Sequence, residues 1–154
     1  MRLAVGTAVC VVAVSLVAEA DGPLTMLESR YADYHWHDDR IVKVDLNRDG
    51  SVDQVALGLQ EAKVLLVLML GGQTEPSAIE IPIDAGKQFG ICRGDEPKIL
   101  IQRQSEMPEN VFGEKLPGYE ICPECFEIVI DSSACDPLQF YWRMDSDELT
   151  WWRA

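Results

Sequence analysis

Short apolar stretches separated by turn-forming residues dominate the chain from residue 40 onward. Some of these stretches alternate apolar and polar positions and others are brief continuous apolar runs, and both patterns are typical of β-strands. The predicted strands are residues 41–44, 52–59, 63–70, 78–83, 98–103, 126–130, 138–144 and 148–153. We therefore expect a mainly β fold, built as an antiparallel sheet or a small β-sandwich.

The rest of the chain shows one helical pattern and two turn signals. Residues 24–34 have the spacing of a short N-terminal helix, with Thr25 as its expected cap. Residues 104–118 contain two prolines, one asparagine and two glycines, which predicts a long exposed loop. The sequence Asp145-Ser146-Asp147 predicts the tight turn of a hairpin between the last two strands.

The first 20 residues have the layout of a secretory signal peptide. A basic residue, Arg2, precedes an apolar run from residue 3 to residue 18, and the small residues Ala18 and Ala20 suit cleavage after Ala20. An uncleaved membrane anchor is the alternative, but the run is shorter than the roughly 20 apolar residues that a spanning helix needs. We therefore expect a mature chain of one β-rich domain, residues 21–154, that is periplasmic or secreted and has no membrane span.

Charge narrows the classes of partner. The 154 residues include 13 Lys and Arg against 26 Asp and Glu, which gives a net charge of −13. A chain this acidic repels the phosphate backbone of nucleic acids, so nucleic-acid binding is disfavoured. Divalent cations and basic protein surfaces are the complementary partners. The sequence therefore favours a cation-binding domain with a basic protein partner.

Four cysteines follow the predicted signal peptide, and an even number in a small exported protein predicts two disulfides. We expect Cys125 to pair with Cys135, around the strand at 126–130, and Cys92 to pair with Cys122, while the other two connectivities stay open. A redox C-x-x-C or half of a zinc site is an alternative for Cys122 and Cys125. However, a thioredoxin-like motif opens a helix, whereas the residues that follow Cys125 alternate like a strand.

Oxygen-bearing side chains recur at alternate positions between the first two predicted strands, in the sequence Asp-Leu-Asn-Arg-Asp-Gly-Ser-Val-Asp at 45–53. Ca²⁺ prefers about six to eight oxygen ligands, which such a loop supplies when alternate side chains converge. Gly50 permits the sharp turn that this convergence requires. A metal-free hairpin turn is the alternative, because tight turns use the same residue types. The predicted Ca²⁺ ligands are the side chains of Asp45, Asn47, Asp49 and Asp53 and the backbone carbonyl of Ser51.

This loop resembles the calcium loops of the FG-GAP and VCBS repeat families, which join two strands through a D-x-[DN]-x-D-G-x-x-D core. It differs from an EF-hand, because Ala56 stands where a bidentate Glu is required and the flanks are predicted strands. One repeat does not imply a propeller, which needs about four or more. The whole layout resembles small exported bacterial proteins that carry one such loop, and this resemblance implies calcium binding and export but no activity.

Two histidines offer a different metal chemistry. His35 and His37 flank Trp36, and in an extended segment both imidazoles would face the same side. With Asp38 or Asp39 they could bind Zn²⁺ or Cu²⁺, but H-x-H by itself is a nonspecific signal, so an ordinary surface segment is the favoured interpretation. A transition-metal-binding protein is therefore an alternative function.

The last predicted hairpin is rich in tryptophan. An aromatic platform for a carbohydrate is one interpretation of these residues, and packing of the hairpin in the core is the other. No recognisable nucleophile elbow, zinc-protease motif or phosphate-binding loop occurs in the sequence, so the pattern favours a binding protein over an enzyme. The tryptophans concerned are Trp142, Trp151 and Trp152.

Overall fold

The computed structural model describes residues 22–84, 86, 88–108 and 115–153, so the predicted signal peptide lies outside the described residues. Within these ranges the chain forms one short α-helix, a 3-10 turn at Asp38–Arg40 and eight strands. The elements are α1 Pro23–Arg30, β1 Ile41–Val44, β2 Asp53–Leu59, β3 Lys63–Met69, β4 Ser77–Pro82, β5 Lys98–Arg103, β6 Phe126–Asp131, β7 Leu138–Arg143 and β8 Glu148–Trp152.

The eight strands form two antiparallel sheets in which each strand pairs with its neighbour in sequence. The first sheet has the order β1-β2-β3-β4 and the second the order β5-β6-β7-β8. Neighbours in sequence pair readily because antiparallel strands need only a turn between them, although the connection between β5 and β6 spans residues 104–125. The expected mainly β, antiparallel fold with a short N-terminal helix and disulfides is confirmed.

The two sheets bury a common core between their facing sides. Alternate residues of each strand point inward, because successive side chains of a strand lie on opposite faces. Burial of apolar side chains from both sheets in one cluster supplies the main favourable free energy of folding. The core includes Val55, Leu57, Val64, Leu66 and Ile81 from the first sheet and Ile99, Ile128, Ile130, Leu138 and Phe140 from the second.

The outer face of the first sheet is also buried, which explains why β3 is apolar at every central position. Leu27 of α1 and the ring of Trp36 pack against Leu65 and Val67 there. Gly58 of β2 makes this packing possible, since a Cβ at that position would lie 2.7 Å from the Trp36 ring. The segment before the first sheet therefore acts as its cover.

The helix is shorter than the predicted 24–34 and has a different cap. It begins after Gly22, with no side-chain cap bond, so the prediction of Thr25 as the cap is wrong. It ends at Arg30, and the N–H of Tyr31 donates a hydrogen bond to the carbonyl of Leu27. The chain turns at this point because Tyr31, like Tyr34, packs its ring beside Trp36. No helix in the described ranges is long and apolar enough to cross a bilayer.

The long loop predicted at residues 104–118 begins later than expected. Gln104 is buried, its N–H bonds the carbonyl of Cys125, and its side-chain amide bonds the carbonyl of Phe126. The pairing of β5 with β6 thus continues one residue beyond the strand. Residues 109–114 of the predicted loop lie outside the described residues.

The disulfides join Cys92 to Cys135 and Cys122 to Cys125, so the expected pairing is wrong. The extended strand β6 separates Cys125 from Cys135, and six residues at about 3.3 Å each place its two ends too far apart for a disulfide. Cys122 instead closes a tight turn in which the N–H of Cys125 donates to its carbonyl at 3.2 Å. The two Cα–Cα distances are 5.7 Å for Cys92–Cys135 and 5.0 Å for Cys122–Cys125.

Candidate functional site

The loop between β1 and β2 is folded by hydrogen bonds from its backbone to its own polar side chains. Oδ2 of Asp45 accepts the N–H of Gly50 at 3.0 Å, and Oδ1 of Asp49 accepts the N–H of Ser51 at 2.7 Å. The amide oxygen of Asn47 accepts the N–H of Asp49 at 3.2 Å. Asp and Asn favour turns of this kind, so the local sequence explains the path of the loop.

Two residues of the loop adopt a left-handed backbone, with φ at 59° for Arg48 and 86° for Gly50. Glycine adopts this conformation without a Cβ clash, whereas arginine needs other contacts to offset the strain. Those contacts come from the guanidinium of Arg48, which bonds Glu120 at 2.6 Å and the Sγ of Cys122 at 3.5 Å. The loop is thereby joined to the segment that leads into β6.

Asp53 lies in a different environment from the other predicted ligands. Its side chain is fully buried, Oδ2 accepts the N–H of Leu46 at 2.8 Å, and Oδ1 accepts the N–H of Gly71 at 2.8 Å. The carboxylate therefore fastens the start of the loop to the connection between β3 and β4. Each carboxylate oxygen has a second lone pair, so these bonds leave acceptor capacity for a cation.

Asp45 carries a buried oxygen that has no hydrogen-bond partner in the described part of the chain. This atom is Oδ1, while Oδ2 of the same carboxylate is held by Gly50. A buried carboxylate oxygen without a donor or a cation costs free energy. An approaching cation would remove that cost.

The carboxylate of Asp49 is stabilised in its charged form. A hydrogen bond from the backbone of Ser51, and then one from the side chain of Asn47, lower the pKa of Asp49 below its ordinary value. The second of these bonds joins Asn47 Nδ2 to Asp49 Oδ2 at 3.1 Å. Asp49 is therefore negative at neutral pH and suited to a cation.

The donor set of the loop fits a hard cation only when neutral oxygens are included. In the ranges that the structure describes, no three His, Cys, Asp or Glu side chains form a group that could hold a metal ion. The carboxylates of Asp45 and Asp49 would need the amide oxygen of Asn47 and the carbonyl of Ser51 beside them. Ca²⁺ accepts such neutral oxygen ligands, whereas Zn²⁺ prefers imidazole and thiolate, so the loop suits Ca²⁺ better.

His35 and His37 are both exposed, on either side of the buried Trp36. The backbone of His35 pairs with Leu59 through N–H···O distances of 2.8 and 3.0 Å. They belong to no three-residue metal-holding group among the described side chains. The position of this segment is explained by the packing of Trp36, which places the histidines in solvent.

The three tryptophans of the last hairpin do not share one surface. Trp142 and Trp151 pack against the core between the sheets, and the ring of Trp151 lies 5.0 Å from that of Phe89. Trp152 lies on the opposite face of β8, where its ring centroid is 6.5 Å from that of Tyr119. Neighbours along a strand face opposite sides, so the adjacent Trp151 and Trp152 cannot belong to one flat platform on β8.

A cleft on the outer face of the second sheet contains a buried acid that the sequence pattern did not single out. Glu127 is 6% exposed and accepts the hydroxyl of Tyr119 at 3.2 Å. Burial raises the pKa of Glu127, and burial together with the nearby Glu127 raises the pKa of Tyr119. Trp152 and Gln139 line the same cleft, which encloses about 260 Å³. Strand alternation places Glu127 on the outer face, but no local signal shows that Tyr119 covers it.

Comparisons with known proteins give no match to this chain among family models, curated proteins or solved structures. The resemblance of residues 45–53 to FG-GAP and VCBS calcium loops therefore stays a prediction from the sequence. Any function has to be argued from the loop, the disulfides and the cleft themselves.

Proposed function

We propose that this protein is an exported, acidic calcium-binding domain in which a structural Ca²⁺ holds the β1–β2 loop in place. When bound, the ion supplies positive charge that offsets the repulsion between the loop carboxylates. Because it binds the folded loop and not the unfolded chain, it stabilises the fold. The FG-GAP and VCBS-like pattern of the loop supports the same ligands. The proposed ligands are the side-chain oxygens of Asp45, Asn47 and Asp49 and the carbonyl oxygen of Ser51, while Asp53 holds the loop through the N–H groups of Leu46 and Gly71.

The observation that carries the proposal concerns Oδ1 of Asp45. This atom is buried and has no hydrogen-bond partner among the residues that the structure describes. Its carboxylate is held in place because Oδ2 accepts the N–H of Gly50. Oδ1 therefore does not reach solvent without the loss of that bond. In a metal-free hairpin turn, a buried acceptor without a donor only costs free energy. In a cation site the same oxygen is a ligand.

A structural role for the ion follows from what the loop connects. Arg48 bonds Glu120 on the segment before β6, and Asp53 bonds Gly71 after β3. A cation that orders the loop also orders these two links. We expect Ca²⁺ to raise thermal stability rather than to switch the protein between two folds.

Export is supported by the two disulfides. Such bonds form and persist in oxidising compartments, which include the bacterial periplasm and the extracellular space. The signal-peptide layout of residues 1–20 supports the same location.

Calorimetric titration of the chain that begins at residue 21 tests the calcium proposal, together with melting curves in Ca²⁺ and in chelator. Asp49→Ala should abolish saturable binding and the stabilisation by Ca²⁺, because the variant lacks a ligand. Asp131→Ala is a matched control, since Oδ1 of Asp131 also accepts the N–H of a serine two residues later at 2.7 Å. It removes the same type of turn bond outside the predicted site.

The two variants separate a calcium site from an ordinary turn. Binding by the parent chain and by Asp131→Ala, together with its loss in Asp49→Ala, would support the proposal. Equal melting curves of the parent chain in Ca²⁺ and in chelator, without measurable heat of binding, would reduce the loop to a metal-free turn.

The net charge of −13 favours a basic protein as the partner of this domain. Surface charge mainly speeds and orients association, so the interaction should weaken as salt rises. The immobilised domain should capture basic proteins from a cell-envelope extract and release them in salt. An extract that yields no salt-sensitive partner would contradict this role.

A carbohydrate-binding function is a second candidate, favoured by the cleft that contains Trp152. An indole beside the polar side chains of Gln139 and Glu127 offers both a stacking surface and hydrogen-bonding groups. A glycan that enters the cleft should change the intrinsic fluorescence of the parent chain and of Trp142→Phe, but not of Trp152→Phe. An unchanged spectrum across a glycan panel would remove this candidate.

A further inference from the structure

The Cys122–Cys125 disulfide lies against a positive charge. Nη1 of Arg48 is 3.5 Å from the Sγ of Cys122, and Nη2 of the same guanidinium is 2.6 Å from a carboxylate oxygen of Glu120. At the other disulfide, the Sγ of Cys135 accepts a hydrogen bond at 3.2 Å from the neutral backbone N–H of Cys92. The two disulfides therefore differ in the group that contacts their sulfur.

The two sulfurs of the C-x-x-C turn also differ in access. Cys122 is partly exposed, whereas Cys125, which directly precedes β6, is 5% exposed. An incoming thiol reaches Cys122 first. The loop closed by this bond is short, so the bond constrains the unfolded chain less than the link between Cys92 and Cys135 does.

We propose that Cys122–Cys125 is a thiol–disulfide exchange site, that Cys122 is the sulfur attacked by a partner dithiol, and that Arg48 activates it. The proposal goes beyond calcium binding and does not depend on it. The C-x-x-C turn precedes a strand, so no helix N-terminus can stabilise a thiolate here. The guanidinium of Arg48 takes that role, because a cation beside a cysteine favours the thiolate and hence exchange.

The exchange transfers two electrons from the partner dithiol to the protein. A thiolate of the partner attacks the Sγ of Cys122, which breaks the bond to Cys125 and forms a mixed disulfide. Cys125 leaves as a thiolate and takes a proton from solvent. The second partner thiolate then attacks its own sulfur in the mixed disulfide and releases Cys122 as a thiolate beside Arg48. The partner ends as a disulfide and the protein as a dithiol, and the reverse sequence oxidises the protein.

Arg48 assists the first step in two ways. Its charge attracts the incoming thiolate, and it stabilises the negative charge that spreads over the sulfurs during the attack. Glu120 opposes both effects, since its carboxylate pairs with the same guanidinium. Removal of Arg48 and removal of the charge of Glu120 should therefore change the rate in opposite directions.

The test uses the chain from residue 21 with both disulfides formed, in chelator, so that the result is independent of calcium binding. Dithiothreitol is the probe dithiol, and peptide mass spectrometry after alkylation gives the opening rate of each disulfide. Cys122–Cys125 should open at least about tenfold faster than Cys92–Cys135. Arg48→Gln should slow its opening several-fold, and Arg48→Lys, which keeps the charge, should restore most of the rate.

Arg30→Gln is the matched control, because it also removes an arginine paired with a glutamate, Glu75, at 2.5 Å. It should leave both rates unchanged. Circular dichroism before the reaction shows whether each variant is folded. If Arg48→Gln does not fold, Glu120→Gln decides the matter, since it keeps Arg48 and should speed the opening of Cys122–Cys125.

Equal opening rates for the two disulfides in the parent chain would overturn the proposal. So would an unchanged rate in a folded Arg48→Gln variant, or an unchanged rate in Glu120→Gln when the first variant is unfolded. Selective opening that depends on the charge at residue 48 would support it.

Discussion

The two sheets have the same strand order but are held together in different ways. In the first sheet, a buried carboxylate, Asp53, fastens the β1–β2 loop to the β3–β4 connection through two backbone N–H groups. Its outer face is covered by α1 and Trp36. In the second sheet, β5 and β6 are separated by residues 104–125. One disulfide lies directly before β6, and the other joins the β4–β5 connection to the β6–β7 connection.

The difference follows from the length of the connections. A short loop can satisfy its backbone groups with its own Asp and Asn side chains, as residues 45–53 do. A long connection loses more entropy on folding and has few local partners, so a covalent link is the more effective constraint. The first sheet should therefore be sensitive to the loss of a hydrogen-bonded carboxylate, and the second to the loss of a disulfide.

The largest expected effect on stability comes from removing the disulfide between Cys92 and Cys135. Cys92→Ala/Cys135→Ala removes a disulfide across 43 residues and should lower the free energy of unfolding by about 4 kcal/mol on the chain-entropy model. Cys122→Ala/Cys125→Ala removes a disulfide between cysteines only 3 positions apart and should lower the free energy of unfolding by about 2 kcal/mol. Urea unfolding at equilibrium measures both. Equal losses, or a larger loss for Cys122→Ala/Cys125→Ala, would contradict the view that the Cys92–Cys135 disulfide constrains the fold more strongly than Cys122–Cys125 does.

The second prediction concerns the carboxylate that fastens the first sheet. Asp53→Asn places an N–H₂ group opposite one of two buried backbone N–H donors and should lower the free energy of unfolding by about 3 kcal/mol, in chelator as well as in Ca²⁺. Asp49→Asn is the matched variant. Because Asp49 is exposed, Asp49→Asn should lower the free energy of unfolding in chelator much less than Asp53→Asn does.

Thermal and urea unfolding of the two variants with and without Ca²⁺ provide the measurement. Similar losses in chelator for Asp53→Asn and Asp49→Asn would show that the buried carboxylate does not fasten the sheet. A loss for Asp53→Asn that occurs only in Ca²⁺ would show that Asp53 acts as a ligand alone.

The smallest expected effect is a pH dependence in the cleft of the second sheet. Burial raises the pKa of Glu127 above its ordinary value of 4.5, although the hydrogen bond from Tyr119 acts in the opposite direction. A carboxyl with a raised pKa in the folded protein contributes stability below about pH 4.5, and that contribution is lost as pH rises through the folded pKa. Glu127→Gln stays neutral at every pH, so it should gain stability relative to the parent chain from acidic to neutral pH.

Urea midpoints of the parent chain and Glu127→Gln at several pH values test the sign. Glu124→Gln, which changes an exposed glutamate three residues away, serves as the control and should leave the pH dependence unaltered. A loss of stability by Glu127→Gln relative to the parent chain as pH rises would show that folding lowers the pKa of Glu127.

Strand positions could be predicted closely because each depends on a local pattern. The predicted residues 41–44 and 98–103 coincide with β1 and β5, and the remaining strands differ from prediction by one residue at one or both ends. The helix was predicted too long, because its end depends on the packing of Tyr31 and Tyr34 around Trp36. The hydrophobic periodicity of the sequence gives no information about the contacts of Tyr31 and Tyr34 with Trp36.

The candidate sites divide in the same way. The turns at Asp45, Asn47 and Asp49 follow from the local sequence, and the structure places these residues in one loop. The contact of Arg48 with Cys122 joins residues 74 positions apart, and the bonds of Asp53 to Gly71 likewise cross between elements. Sequence spacing carries no information about such distant contacts.

The amino-acid sequence by itself determined the strands, the acidic character, the Asx-rich loop and the number of disulfide-forming cysteines. These properties depend on the identity of residues and on their neighbours within a few positions. Only the tertiary structure decided which cysteines pair, which carboxylates are buried and which arginine contacts a sulfur. Those outcomes depend on how two sheets pack against each other, because packing brings together groups that are remote along the chain and removes them from water.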